Sequence, residues 1–310
     1  MKIYHALEDF SPLPFGVVTS GTFDGVHIGH QKILLRLKEI ADKHAGETVV
    51  ITFWPHPRTI LKPNEPDLKL LNTFEEKADL LRNFGVQHLL RIPFTKEFSQ
   101  LTSVDFITKI LVNRIGTRKL VIGYDHRFGK NREGSFDQLK LNGPAFGFEV
   151  EEIPRQDIDH VGVSSTKIRQ ALGIGDVVTA QHFLGLPYSL AGRVIKGDKL
   201  GRVLGFPTAN IDLESHAKLV PADGIYAVSV EHEHQTYKGM LYIGNRPTVD
   251  GTRRTIEVNI FDFDKEIYGE TIKVKFHKLL RADSRFEDLE SLKKQLEKDK
   301  TDAIRALQSI

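Results

Sequence analysis

Apolar residues in the first part of the chain fall into short runs that alternate with stretches of helical spacing. Phe15-Gly16-Val17-Val18-Thr19 is one such run, and it ends in a glycine-rich turn. Ile33, Leu34, Leu37, Ile40 and Ala41 then recur at helical intervals, which predicts an amphipathic helix from about Gln31 to His44. Val49-Val50-Ile51-Thr52-Phe53 is continuous and β-branched, as expected of a strand buried on both faces. Thr73-Phe74-Glu75-Glu76 has the form of a capping box opening a helix, with Gly85 at its far end. The runs His88 to Ile92 and Lys119 to Gly123 flank a helical pattern from Asp105 to Ile115. This order of strands and helices predicts an α/β fold on an open parallel sheet with right-handed crossovers.

Past about Gly185 the period changes to two. Leu190 to Ile195, Ile225 to Val230, Gly239 to Ile243, Thr255 to Phe261 and Thr271 to Phe276 alternate apolar and polar residues between turn residues. The expectation is a small antiparallel β-barrel, closed by a charged helix from about Phe286 to the end. The boundary is expected between Gly175 and Pro187, giving domains 1–183 and 184–310.

Composition agrees with two domains and removes several chemistries. A length of 310 residues suits two domains of ordinary size, and 40% hydrophobic residues allow each to bury a core. The chain has no cysteine, which excludes disulfides, thiolate catalysis and Cys-based zinc sites. A net charge of +2 argues against a broad nucleic-acid footprint. Met1-Lys2-Ile3-Tyr4-His5 leads into Glu8-Asp9 without an apolar signal core, and no apolar run approaches the ~18 residues of a membrane helix. The expectation is a cytoplasmic protein with small-molecule substrates, no nucleic-acid or membrane partner, and a monomeric or transiently homo-oligomeric state.

The chemistry concentrates first in Gly21-Thr22-Phe23-Asp24-Gly25-Val26-His27-Ile28-Gly29-His30. The segment follows the first strand, and ligands of open parallel sheets bind beyond the strands' C-terminal ends. Gly21 and Gly25 permit a sharp turn and close backbone approach. His27 and His30 are three apart, so both imidazoles share one face of a first helical turn whose amides favour an anion. Gly29 leaves room for phosphate. Taken alone, the two histidines also fit a surface pair or half of a zinc site; His56, nearby in sequence, stands between two prolines. Val163-Ser164-Ser165-Thr166-Lys167-Ile168-Arg169 adds hydroxyls at a helix start and two cations in the first turn. The hydroxyls suit helix capping, and with a nucleotide present Lys167 or Arg169 would clamp the β- and γ-phosphates.

The HxGH loop resembles that of the nucleotidyltransferase superfamily, whose members bind ATP phosphates with this pair on a Rossmann-like sheet. The SSTxIR signature often found in that superfamily is intact here. Over essentially the whole chain the pattern resembles the bifunctional prokaryotic riboflavin kinase/FAD synthetase family. Thr52-Phe53-Trp54-Pro55-His56-Pro57 and Gly123-Tyr124-Asp125-His126-Arg127-Phe128-Gly129-Lys130 belong to the resemblance, although Trp54 and His126 stand where the family more often has a small or acidic residue and Phe. In the second half, Gly201-Arg202-Val203-Leu204-Gly205-Phe206-Pro207-Thr208-Ala209-Asn210 matches the family's GxxxGFPTAN kinase loop. Pro-Thr-Ala-Asn alone would be an ordinary turn. Its glycines can admit phosphates, and Thr208 and Asn210 offer neutral oxygens suited to Mg²⁺.

In Thr255 to Phe261 the apolar Ile256, Val258 and Ile260 share one side, and Glu257 points the other way with Thr255 and Asn259. That pattern alone describes a solvated face. The resemblance implies instead that Glu257 is the general base, since a ribityl hydroxyl needs its proton accepted as it attacks. It implies further that ATP meets Gly21 to Gly25, His27, Gly29, His30, Ser164 to Lys167 and Arg169 in one domain. In the other domain it would meet Gly201, Gly205, Phe206, Pro207, Thr208 and Asn210. Flavin contacts are implied at Asp125, Arg127, Phe128, Arg281 and Arg285, with Asp283 and Arg285 replacing the more usual Glu and Lys. Asn245-Arg246-Pro247-Thr248 is implied near the nucleotide. The reactions implied are phosphorylation of riboflavin by MgATP to FMN, then adenylylation of FMN by a second ATP to FAD with release of pyrophosphate. His27, His30 and Arg169 would stabilise charge in the second step. The first-half motifs alone also fit an adenylyltransferase for phosphopantetheine or nicotinate mononucleotide, and a flavin-binding regulator without turnover is a third reading. The GFPTAN loop argues against the former, and the intact base and leaving-group clamp against the latter.

Overall fold

The computed structural model describes residues 1–63, 68–123, 126–153, 162–197, 200–248 and 251–308. They form two compact units, Met1–Ser165 and Thr166–Ile310. The first unit holds β1 (Lys2–Tyr4), β2 (Gly16–Ser20), β3 (Glu47–Trp54), β4 (His88–Pro93), β5 (Thr117–Gly123) and β6 (Glu149–Ile153). All six are parallel, in the order β1-β4-β3-β2-β5-β6. Its longer helical segments are α1 (Ile28–His44), α2 (Pro57–Leu61), α3 (Phe74–Asn83), the π-helical α4 (Phe106–Ile115) and α5 (Phe136–Asn142).

Neighbouring residues of the central strands point to opposite layers. Val17, Val50, Leu89 and Val121 pack with α1 and α3, whereas Val18, Val49, Ile51, Leu90, Leu120 and Ile122 pack with α4 and α5. Both faces are covered, which is why these strands are apolar without alternation. From β2 the chain winds outward to β3 and β4, then returns to β5 on the other side of β2. That reversal opens a crevice at the C-terminal ends of β2 and β5. Helix α1 begins at Ile28, earlier than its apolar spacing predicts, because His27 acts as the N-cap. The edge strand β6 escapes the hydrophobic pattern because three of its five residues are glutamates.

In the second unit, β7 (Ser189–Ile195), β8 (Ala209–Asp212), β9 (Gly224–His232), β10 (Gln235–Thr248), β11 (Gly251–Ile260) and β12 (Thr271–Ala282) close an antiparallel barrel. Helix α6 (Ser165–Gly173) starts at the junction of the units and is followed by α7 (Val177–Leu184) and the short α8 (Leu200–Val203). The Ala222 N–H donates to the Leu172 carbonyl at 2.9 Å, so the end of α6 is tied to the barrel. Helix α9 (Leu289–Ala306) has Asp288 as its N-cap and buries Ala303 among Phe206, Met240 and Phe261.

Candidate functional site

The loop between β2 and α1 is held in a conformation its residues would not choose. Phe23 (φ 49°), Gly25 (φ 87°) and Val26 (φ 41°) all lie in the left-handed region, and for β-branched Val26 this is real strain. Surrounding bonds over-determine it. Gly21 N–H donates to Ile51 O at 3.0 Å. The Gln31 amide donates to Val26 O at 2.9 Å, and Ser165 Oγ donates to Asp24 O at 2.9 Å. Asp24 is buried, and its Oδ1 accepts from the amides of Leu71 and Asn72 at 3.0 and 3.3 Å. Its carboxylate therefore sets the loop's shape.

The two histidines of that loop form one stacked unit. Their ring centroids lie 3.7 Å apart at an interplanar angle of 14°, and His27 Nδ1 accepts the His30 amide at 3.4 Å. One of the first-turn amides is thus already capped. Phe23 packs against His30, whose Nδ1 is buried and makes no hydrogen bond among the described residues. Burial pushes His27 down to about 4. Burial, then the charges of His27 and Lys77, push His30 well below the usual histidine value. Both rings are neutral at physiological pH.

Lys77 was not singled out from the sequence. It lies on α3 with Phe74, Ala78 and Leu81, a buried stripe at helical spacing, and a lysine on such a stripe is the signal. Its Nζ donates to Thr22 O at 2.8 Å. At the opposite side of the switch point, Ser20 Oγ lies 3.3 Å from His126 Nε2. Burial pushes His126 down to about 4, with Arg132 adding in the same direction. Phe128 belongs to the core, where it packs on Phe106 and stacks with His126, while Arg127 is exposed. Asp125 lies outside the described residues. Of the helix-start residues, Ser164 is half-buried, Thr166 and Lys167 are exposed, and Arg169 is half-buried, on or beside α6.

The second unit gathers a different set. Thr208 and Asn210 are two apart at the start of β8, and Asn210 pairs across the strands with Glu257. Thr208 Oγ1 donates to Glu257 Oε2 at 3.2 Å. The alternation expected of β11 is present, but its polar face is not solvated: Glu257 and Asn259 are each 6% exposed. Asn259 Nδ2 donates to Pro207 O at 2.6 Å, which fixes the loop carrying Thr208. A cavity of about 80 Å³ adjoins this set through Pro207 and Thr208 and is lined further by Arg202, Ala209, Val258 and Tyr268, among others. A Cβ on Gly201 would stand 2.3 Å from Phe206 O, and Gly205 has φ 85°. These two glycines are required by the loop's own backbone. Phe206 is buried in the barrel core beneath α9.

Arg281 is engaged within the fold. Its Nε and Nη2 donate to the Asp299 carboxylate at 2.9–3.1 Å, and its Nη1 donates to Ala282 O and Ser284 Oγ. Arg285 is exposed. Tyr242 donates to Asp283 at 3.2 Å.

Comparison with known proteins gives a consistent result across both halves. The family model for FAD synthetase matches residues 13–167, and that for riboflavin kinase matches residues 184–307. The bifunctional riboflavin kinase/FMN adenylyltransferase of Bacillus subtilis is 38% identical over 294 residues, covering 93% of this chain and 92% of the relative. The protein of the same name from Pseudomonas fluorescens is 38% identical over 301 residues, covering 96% of each. The crystal structure of a macrolide-efflux protein from Streptococcus pneumoniae superposes with a TM-score of 0.87 at 33% identity, over 97% of each chain. Among the described residues no helix is long and apolar enough to cross a membrane.

Proposed function

The chain belongs to the bifunctional riboflavin kinase/FMN adenylyltransferase family, and from that premise we propose which of its residues carry each reaction. It phosphorylates riboflavin to FMN and adenylylates FMN to FAD. The division of labour follows residues 1–183 for adenylyl transfer and 184–310 for the kinase step, although 166–183 pack with the barrel's unit.

For the kinase step, the observation that carries the reading is the Thr208–Glu257 hydrogen bond beside Asn210. Glu257 accepts the ribityl hydroxyl proton as that oxygen attacks the γ-phosphate of ATP, whose bond to the β,γ-bridging oxygen breaks to release ADP. The oxygens of Thr208 and Asn210 form the kind of hard, neutral donor set that Mg²⁺ accepts alongside substrate phosphates. Such an ion, when bound, withdraws charge from the phosphoryl group being transferred. Buried Asn259 keeps the loop in place through Pro207 O.

For the adenylyl step, the FMN phosphate is already an anionic nucleophile and needs no base. It attacks the α-phosphate of ATP and expels pyrophosphate. The neutral, stacked His27 and His30 donate to the phosphates as charge develops, with Lys167 or Arg169 as the cationic clamp. Flavin contacts are proposed at Asp125, Arg127, Phe128, Arg281 and Arg285, with Arg281 held by Asp299 and Phe128 set in the core beside His126. The chain works in the cytoplasm as a monomer or transient homo-oligomer. Incubation with riboflavin and MgATP, with the products separated by chromatography, is the direct test. FMN and then FAD should accumulate; absence of either removes the corresponding site.

A further inference from the structure

Lys77 sits beneath the strained loop with only 3% of its surface exposed. Its Nζ donates to Thr22 O at 2.8 Å, reaches Thr52 Oγ1 at 3.5 Å, and rests 5.5 Å from the centre of the Trp54 ring. All three partners are neutral, and among the described residues Lys77 forms no ion pair. A buried ammonium with such partners is costly to keep. The carboxylate of buried Asp24 offsets part of that cost, and a bound polyanion would offset more.

The loop itself lacks positive charge. Between Gly21 and His30 the titratable side chains are Asp24, His27 and His30, and both imidazoles are held neutral. A polyanion arriving there draws no cationic attraction from the loop's own side chains. Lys77 supplies one from below. Its bond to Thr22 O also has a geometric effect, because a trans peptide directs the following N–H away from the carbonyl. Holding that oxygen inward turns the Phe23 amide away from the ammonium, at the first residue of the left-handed turn.

We propose that Lys77 is a positioning residue for adenylyl transfer: its ammonium pins the Thr22 carbonyl, fixes the Gly21–Val26 turn and holds a positive charge under the bound ATP phosphates. The proposal rests on reading the HxGH loop as the adenylyl site. Burial lowers Lys77 to about 8, with Asp24 opposing the shift. The ionisable groups facing it are Asp24 from the loop and His30 from α1, while β3 contributes neutral Thr52 and Trp54.

The test compares wild type with Lys77→Met, which keeps the length and removes the charge, in the full chain. The kcat/KM for ATP in FAD formation should fall roughly 10–100-fold, the size of one charge-assisted hydrogen bond, with the KM for ATP rising more than that for FMN. Riboflavin phosphorylation by the same preparation should be unchanged. In wild type, kcat/KM for ATP in FAD formation should decline as pH rises through about 8, and in Lys77→Met this decline should vanish. A value within threefold of wild type, or an unaltered pH profile in the variant, overturns the proposal. If Lys77→Met does not fold, the wild-type profile decides: a decline confined to FAD formation supports it, and a flat profile overturns it. His30→Ala separates the two levels. Full FAD formation in His30→Ala removes the loop reading itself, whereas its loss there with normal kinetics in Lys77→Met removes only the role of Lys77.

Discussion

Thr208 Oγ1 donates to Glu257 Oε2 at 3.2 Å, joining residues 49 positions apart in the chain. The bond brings the carboxylate to the oxygen face that Thr208 and Asn210 share. Glu257 is 6% exposed, so its carboxylate is oriented by the barrel and shielded from bulk water.

Replacing that carboxylate with its amide should leave the barrel intact and remove the proton acceptor. Glu257→Gln is expected to lower FMN formation by about 100-fold or more, the usual contribution of a positioned base. Conversion of supplied FMN to FAD should continue at the wild-type rate. Separate assays of the two products check this, and wild-type FMN production in the variant would mean that Glu257 is not the base.

The complementary change acts on the other unit. His30→Ala removes one member of the stacked pair, and loss of a preorganised donor to developing charge is worth roughly 2.7–4 kcal/mol, or 10²–10³ in rate. FAD formation should fall by that factor while FMN formation stays near normal. Equal loss of both products would contradict two separate sites.

Much of this was legible in the sequence, for reasons visible in particular residues. Val49 to Phe53 could be read as a doubly covered strand because both faces of β3 are indeed buried. The capping box at Thr73 and Glu76 forms as written. Glu257 shows where pattern stops: alternation gives its side of β11 correctly but not its burial, which depends on Pro207 and Thr208 arriving from the loop before β8. Lys77 escaped because a lysine beside two glutamates reads as surface charge, although its spacing with Phe74, Ala78 and Leu81 places it inside. The resemblance implies a flavin contact at Arg281, and nothing near it in the chain announces that its guanidinium also pairs with Asp299, eighteen positions on. Its partner lies on a helix that packs against the barrel, a long-range fact that local sequence does not carry.

That ion pair yields a stability prediction. Asp299 is 2% exposed, accepts from Arg281 at 2.9–3.1 Å and from Gln295 Nε2 at 2.8 Å, and ties α9 to β12. Asp299→Ala leaves the guanidinium without its anion and should destabilise the barrel unit by about 3 kcal/mol. Asp302→Ala breaks only the more exposed 3.4 Å pair with Arg305 and should cost about 0.5 kcal/mol or less. Urea unfolding of both variants distinguishes them; similar losses would show that the Arg281–Asp299 pair carries no special share.

The buried histidines also predict how the protein responds to acid. His27 is 7% exposed and binds its proton only near pH 4 when folded, against 6.5 when unfolded. Above 6.5 neither state holds the proton, so the folded state bears no penalty. Between 6.5 and 4 the unfolded chain binds a proton that the folded chain refuses, and stability falls as pH falls. The window amounts to roughly 3 kcal/mol for His27, and His30 and His126 act in the same direction. Denaturant unfolding should therefore show a loss of stability between pH 7 and pH 5 that the His27→Asn variant reduces. Asparagine keeps an acceptor at the N-cap of α1, so the variant removes the titration while preserving the cap. An acid loss as large in His27→Asn as in wild type would place the sensitivity elsewhere.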